Sequence, residues 1–97
     1  MGCWTDTSDR AIKGQKTDFS DNPIEKCHTL AAGRGYNYFA VQARTECFTA
    51  DNAGKTYKTY GRSNKCDRKG VGGTWAQDVY KIVPCLTGIS KLKLDLI

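Results

Sequence analysis

The side chains of this chain best suited to chemistry are aromatic rings set among amides and charges. Trp4, Trp75, Tyr36, Tyr38, Tyr57, Tyr60 and Tyr80 make an unusually aromatic small domain, and Asn, Gln, Asp and Arg residues lie near them. Sugars are held by stacking their apolar C–H faces on such rings while neighbouring amides and carboxylates bond the hydroxyls. The mixture is therefore compatible with glycan recognition. Within the stretch from Tyr57 to Tyr80, the candidate ligand-binding residues are Tyr57, Tyr60, Arg62, Asn64, Trp75 and Asp78. Tyr57 and Tyr60 are expected to be accessible, because their segment is polar and bounded by glycine. For the two tryptophans, burial and exposure are equally expected. The aromatics between residues 36 and 48 are expected to pack in the core.

Other chemistries fail on residue type or spacing. Gly54-Lys55-Thr56 matches the end of a phosphate-binding P-loop, but that motif needs a glycine five positions before Gly54, where Thr49 stands. A thiol nucleophile needs a separate histidine base. The single histidine, His28, is adjacent to Cys27 on a predicted helix and points to a different face. One histidine with scattered carboxylates makes no transition-metal constellation. Asp51 and Asn52 before Gly54 are ordinary turn residues rather than a calcium loop. Nothing marks a paired acid and base, so the sequence predicts no enzyme, no cofactor and no metal site.

With 97 residues the chain makes one domain, small enough that covalent staples add useful stability. Its five cysteines, Cys3, Cys27, Cys47, Cys66 and Cys85, are spread along the chain with no Cys-x-x-Cys pair. That pattern argues against structural zinc and for a disulfide framework, hence for a secreted protein of an oxidising compartment. An odd number leaves one thiol over. Cys85, close to the C-terminal tail, is the expected unpaired one.

The formal charge of +5 biases encounters toward anionic partners without specifying one. Lys13, Lys16, Lys55, Lys58, Arg62, Lys65, Arg68 and Lys69 carry much of the excess. The run after Tyr57 reads as a solvated loop, since Asp51 and Asp67 interrupt it and no nucleic-acid-binding motif accompanies it. Neither a signal peptide nor a transmembrane run is present, so the chain reads as a mature domain without membrane insertion. Asp6 stands where a myristoylation motif needs Ser or Thr, and no Asn-x-Ser/Thr acceptor occurs.

The elements that must position these residues follow from local pattern. Asn22, Pro23 and Glu25 form a helix start resembling a capping box, and Ile24, Cys27 and Leu30 or Ala31 recur at helical spacing. Gly33 and Gly35 suit its end, so the main helix is predicted over about residues 23–34. Tyr36 to Gln42 is rich in aromatic and β-branched residues and reads as a central strand. Ala43 to Thr45 turn the chain, and Glu46 to Phe48 begin an antiparallel partner. Gly2 to Thr5 reads as a first strand and Asp6 to Asp21 as a long surface loop anchored by Ile12 and Phe19. Ala50 to Gly61 reads as a turn and a short helix or extended segment, Arg62 to Gly73 as loop, and Trp75 to Val83 as a closing strand ended by Pro84. The alternating Ile89 to Ile97 tail suits an edge strand, a pairing arm or a linker.

The order Gly2-Cys3-Trp4 with Asp6 and Arg10, Glu25-Lys26-Cys27, Gly35-Tyr36-Asn37-Tyr38-Phe39-Ala40-Val41-Gln42 and Glu46-Cys47-Phe48 resembles that of WSC domains. These cysteine-rich extracellular modules are related in design to PAN/apple domains. The resemblance covers roughly the first half of the chain. It departs from the usual eight cysteines, lacking the second helix cysteine, near Ala31 and Ala32, and the one just after Cys47. Later segments, Tyr57 to Cys66 and Gly72 to Tyr80, are similar to a pattern in secreted multidomain proteins of marine invertebrates.

The resemblance implies an α+β fold in which a small disulfide-stabilised antiparallel sheet packs on one main helix. It implies a domain over residues 1–85 with a tail over 86–97. It pairs Cys27 with Cys47 and Cys3 with Cys66. It also implies a non-catalytic extracellular module that recognises glycans, anionic polysaccharide included, or matrix components. A structural or adhesive protein that self-associates through the tail and Cys85 is the alternative. A membrane-active cationic protein is disfavoured by the modest charge and the lack of an amphipathic basic helix.

Overall fold

The structure, a computed structural model, describes residues 2–67, 69–84 and 92–96; Cys85, expected to be unpaired, lies outside the described residues. Strands β1 (Cys3–Thr5) and β2 (Gln15–Asp18) precede helix α1 (Pro23–Gly33). A hairpin of β3 (Tyr38–Gln42) and β4 (Glu46–Thr49) follows, then the short helix α2 (Ala53–Thr56), β5 (Ala76–Pro84) and β6 (Leu92–Leu96).

Helix α1 starts at Pro23 as the sequence predicts, but Asn22 does not cap it through its side chain. Asn22 instead adopts the left-handed region at φ 46°, which asparagine tolerates better than most residues, and its carbonyl accepts the Lys26 N–H at 3.0 Å. Glu25 still places a carboxylate in the first turn, where the helix dipole favours it. The far end is built on Gly35 at φ 76°. The Gly35 N–H donates to the Ala32 carbonyl at 3.0 Å and the Tyr36 N–H to Ala31 at 2.9 Å, the bond pair of a Schellman cap. Arg34 at the helix end donates from Nη1 to Thr49 Oγ1 on β4 at 2.9 Å.

All strand pairs are antiparallel, in the order β1-β5-β3-β4-β2, with β6 also on β5. β3 is central, as its composition predicts. β5 is central too, rather than a closing strand. Tyr80 and Lys81 pair with β3 on one side and β6 on the other, and Ala76 to Asp78 pair with β1. The tail thus contributes an edge strand to its own sheet. The expected loop over Asp6 to Asp21 contains β2, whose Gln-Lys-Thr-Asp sequence has no apolar face; it lies at the sheet edge, where hydrogen bonding to β4 is enough.

Side-chain alternation divides the core in two. On one face Phe39, Val41, Cys47, Tyr80 and Ile82 pack with Cys27 and Ala31 of α1. On the other, Trp4, Ala40, Phe48 and Val79 pack with Ile12, Ala50, Ala53 and Tyr57. Disulfide bonds join Cys27 to Cys47 and Cys3 to Cys66, with Cα separations of 5.5 and 6.0 Å. By loop-closure entropy they contribute about 3 and about 4 kcal/mol respectively. The chain is a small disulfide-stabilised α+β domain.

Candidate functional site

The register of the sheet sets a row of polar side chains on the face away from α1. Trp4 lies opposite Gln77, Gln77 opposite Gln42, and Gln42 opposite Glu46, so the four share one face of neighbouring strands. Gln42 and Gln77 are buried, yet Gln42 Oε1 and both amide atoms of Gln77 have no hydrogen-bond partner among the described residues. An unpartnered buried amide costs about 1–3 kcal/mol.

Beside this row stands Trp75, 45 % exposed and the one large exposed hydrophobic among the described residues. It occupies a two-residue turn with Thr74, closed by the Gly73 N–H donating to the Ala76 carbonyl at 2.9 Å. The turn holds Trp75 at φ 55°, a conformation that costs a bulky residue about 1–2 kcal/mol. Its carbonyl accepts the Asp6 N–H at 3.0 Å.

Arg10 ties the ring to the core. Its guanidinium carbon lies 5.1 Å from the centroids of both Trp75 and Phe48, and Nη1 donates to Asp6 Oδ2 at 2.7 Å. Asp6 is itself buried, and its Oδ1 accepts the Ala11 N–H at 2.9 Å. A planar cation held on two rings and one carboxylate is a fixed donor.

Arg10, Gln42, Ala43, Glu46, Thr74 and Trp75 line a depression of about 290 Å³, near the lower end of small-ligand sites. Glu46, half-buried, is 3.6 Å from Lys16 Nζ through Oε2. The depression therefore offers an apolar ring face, a guanidinium donor and a carboxylate within one small volume, with the buried Gln42 amide in its wall.

Of the residues singled out from sequence, Trp75 alone lines this depression. Tyr57 is 7 % exposed rather than accessible: its ring meets Trp4 edge-on at 5.1 Å and stacks on Tyr38 at 5.9 Å. Tyr60 is half-buried and its hydroxyl donates to the Asp9 carbonyl. Arg62 lies 4.5 Å over the Trp4 ring, and Asn64 is exposed on the following loop. Asp78 is buried on the α1 side of the sheet, where Oδ2 accepts the Gly72 N–H at 2.9 Å. Burial pushes its carboxyl above the usual range, against the opposing pull of that hydrogen bond.

Arg10, Gln42 and Glu46 line the depression and are not singled out by the sequence reading. A signal for Gln42 and Glu46 is their place at the two ends of the β3–β4 turn, where alternation puts both on Trp4's face. For Arg10 it is the Asp6-x-x-x-Arg10 spacing. Among the described residues, the one cluster of metal-ligating types is Cys3, Cys66 and Asp78, and its two sulfurs are joined in a disulfide. No helix among the described residues is long and apolar enough to cross a membrane.

The family model described as WSC domain matches residues 1–74. No curated protein matches the chain significantly.

Proposed function

The chain belongs to the WSC domain family, whose members are carbohydrate-binding-like modules, and from this premise we propose that it is a non-catalytic extracellular module that binds glycans at the Trp75 depression. The observation that carries the reading is Trp75. A large aromatic ring is held outward against its own backbone preference, braced by Arg10 and set beside the half-buried Glu46 carboxylate. Such a ring stacks the apolar face of a pyranose, while Glu46 accepts from its hydroxyls and Arg10 donates. The disulfides fit an oxidising compartment, which supports a secreted or cell-surface location.

A glycan array followed by titration calorimetry tests this. Wild-type protein is expected to bind a subset of glycans. Trp75→Ala is expected to weaken that binding by about 2 kcal/mol, roughly 30-fold, with an unchanged circular dichroism spectrum. An array without hits, or a folded Trp75→Ala protein that binds like wild type, removes the reading.

A further inference from the structure

The two disulfide bonds differ in what can reach them. Cys27 and Cys47 are both wholly buried, in the cluster between α1 and the sheet. Cys3 is buried as well, but its partner Cys66 is only half-buried. A thiolate attacks a sulfur it can touch, so the folded protein offers it Cys66 and keeps the other bond closed until α1 lifts.

A carboxyl group stands beside the accessible bond. Cys3 on β1 lies directly opposite Asp78 on β5, and such cross-strand pairs share one face of the sheet. A carboxylate oxygen of Asp78 and the sulfurs of Cys3 and Cys66 all lie within 4.8 Å of one another. Asp78 Oδ2 accepts the Gly72 N–H at 2.9 Å, which fixes the side chain and leaves Oδ1 to carry a proton. Two titratable neighbours act with it. The Asp67 charge adds to the rise in pKa that burial imposes on Asp78, and the Tyr80 hydroxyl, pushed up to about 12, stays neutral and donates to the Gly70 carbonyl at 2.9 Å. Expelling Cys3 as a bare thiolate into this buried place is costly, so a proton donor at that point speeds cleavage.

We propose that the Cys3–Cys66 bond is a thiol–disulfide exchange site for small thiols of the glutathione class, with Asp78 as proton donor to the departing Cys3 sulfur. The attacking thiolate forms a bond to Cys66 Sγ, the bond between Cys66 and Cys3 breaks, and its electron pair leaves on Cys3. The Asp78 proton passes to that sulfur. The products are a mixed disulfide at Cys66, a Cys3 thiol and an Asp78 carboxylate, which solvent re-protonates. Main-chain bonds hold the two cysteines together meanwhile: the Ser63 N–H donates to the Cys3 carbonyl at 3.1 Å and the Thr5 N–H to Gly61 at 2.8 Å, so the exchange reverses readily. Once ionised, Asp78 has no proton to give and repels a neighbouring thiolate. Exchange per thiolate is therefore fastest where Asp78 is protonated and declines as pH rises through its folded pKa.

The test is incubation of the full chain with glutathione, after alkylation of any free thiol, then acid quenching, a second alkylation and peptide mapping. Glutathione is expected on Cys66 with the second alkyl group on Cys3, and Cys27–Cys47 is expected to react about a hundredfold more slowly. Rates divided by thiolate concentration are expected to fall from acid to neutral pH. Asp78→Asn is expected to be about tenfold slower than wild type at the acid end, to show no such fall, and to match or exceed wild type at neutral pH. A change in fold stability alone would move the Cys27–Cys47 rate too, which serves as the internal control. Reaction at Cys27–Cys47 as fast as at Cys3–Cys66 overturns the proposal, as does glutathione found chiefly on Cys3. Parallel profiles for wild type and Asp78→Asn overturn the role of Asp78. Where the variant does not fold, the wild-type profile decides alone, and a rate per thiolate that ignores pH overturns that role.

Discussion

The two faces of the sheet solve opposite problems. The α1 face is closed: a helix covers it, the Cys27–Cys47 bond crosses it, and Phe39, Val41 and Cys47 are wholly buried. The opposite face begins alike, with Trp4, Ala40 and Val79 beneath Tyr57 and Ile12, but its row continues into Gln77, Gln42 and Glu46 and ends under Trp75. One face spends its residues on a single packed state. The other carries two buried amides with unpartnered atoms and a left-handed tryptophan, features that cost a domain stability, where the α1 side has the single unpartnered His28 Nε2.

The comparison is broken most forcefully from the closed face. Phe39 stacks on Tyr80 at 5.0 Å and on His28 at 6.0 Å, and is completely buried. Phe39→Ala is expected to lower unfolding free energy by about 4 kcal/mol in urea titration. A loss under about 1 kcal/mol would mean that this face is not the stabilising one. Next comes the staple: Cys27→Ala with Cys47→Ala is expected to cost about 3 kcal/mol while leaving glycan affinity intact wherever the protein stays folded. An equal loss of affinity in folded protein would tie the two faces together.

On the open face the expectation reverses. Gln42→Met replaces a buried amide whose oxygen lacks a partner with an apolar chain of similar length, so stability is expected to hold or rise by about 1 kcal/mol. Glycan affinity is expected to stay within about twofold of wild type, because the Gln42 oxygen is enclosed in the wall of the depression. Calorimetric melting and titration of the same sample check both. A destabilised Gln42→Met protein would show that the amide is held within the fold, and a tenfold loss of affinity that it reaches the ligand.

What the sequence made legible follows how locally each feature is determined. Pro23, Gly35 and the run Tyr38 to Gln42 act over a few residues, and the helix and hairpin they predict are present. β2 was hidden because an edge strand needs no apolar alternation, and the inner position of β5 because it depends on partners far along the chain. The polar neighbours of Tyr57 point to exposure, yet its ring turns inward to Trp4 while Lys55 and Lys58 stay outside. The depression is legible only in part for the same reason. Trp75 declares itself by type, but Arg10, Gln42 and Glu46 reach it through strand register and an ion pair with Asp6, neither of which residue composition encodes.

The smallest expected effect concerns a charge on the closed face. Asp78 is buried beside the loop that ends at Gly72, where an added Cβ would strike the Val41 carbonyl, so the loop and the carboxylate are tightly joined. Burial, helped by the nearby Asp67, raises the Asp78 pKa in the folded protein. The native state then takes up this proton before the unfolded chain does. The ionised form weakens the fold at neutral pH, and stability is recovered as pH falls through the folded pKa toward the unfolded value. Asp78→Asn keeps an oxygen for the Gly72 N–H and removes the charge. Its stability relative to wild type is therefore expected to be greatest at neutral pH and to shrink on acidification. Urea titrations of both proteins across that range give the comparison directly, and a difference that stays constant or grows toward acid pH would show that the buried carboxylate is not what the closed face has to accommodate.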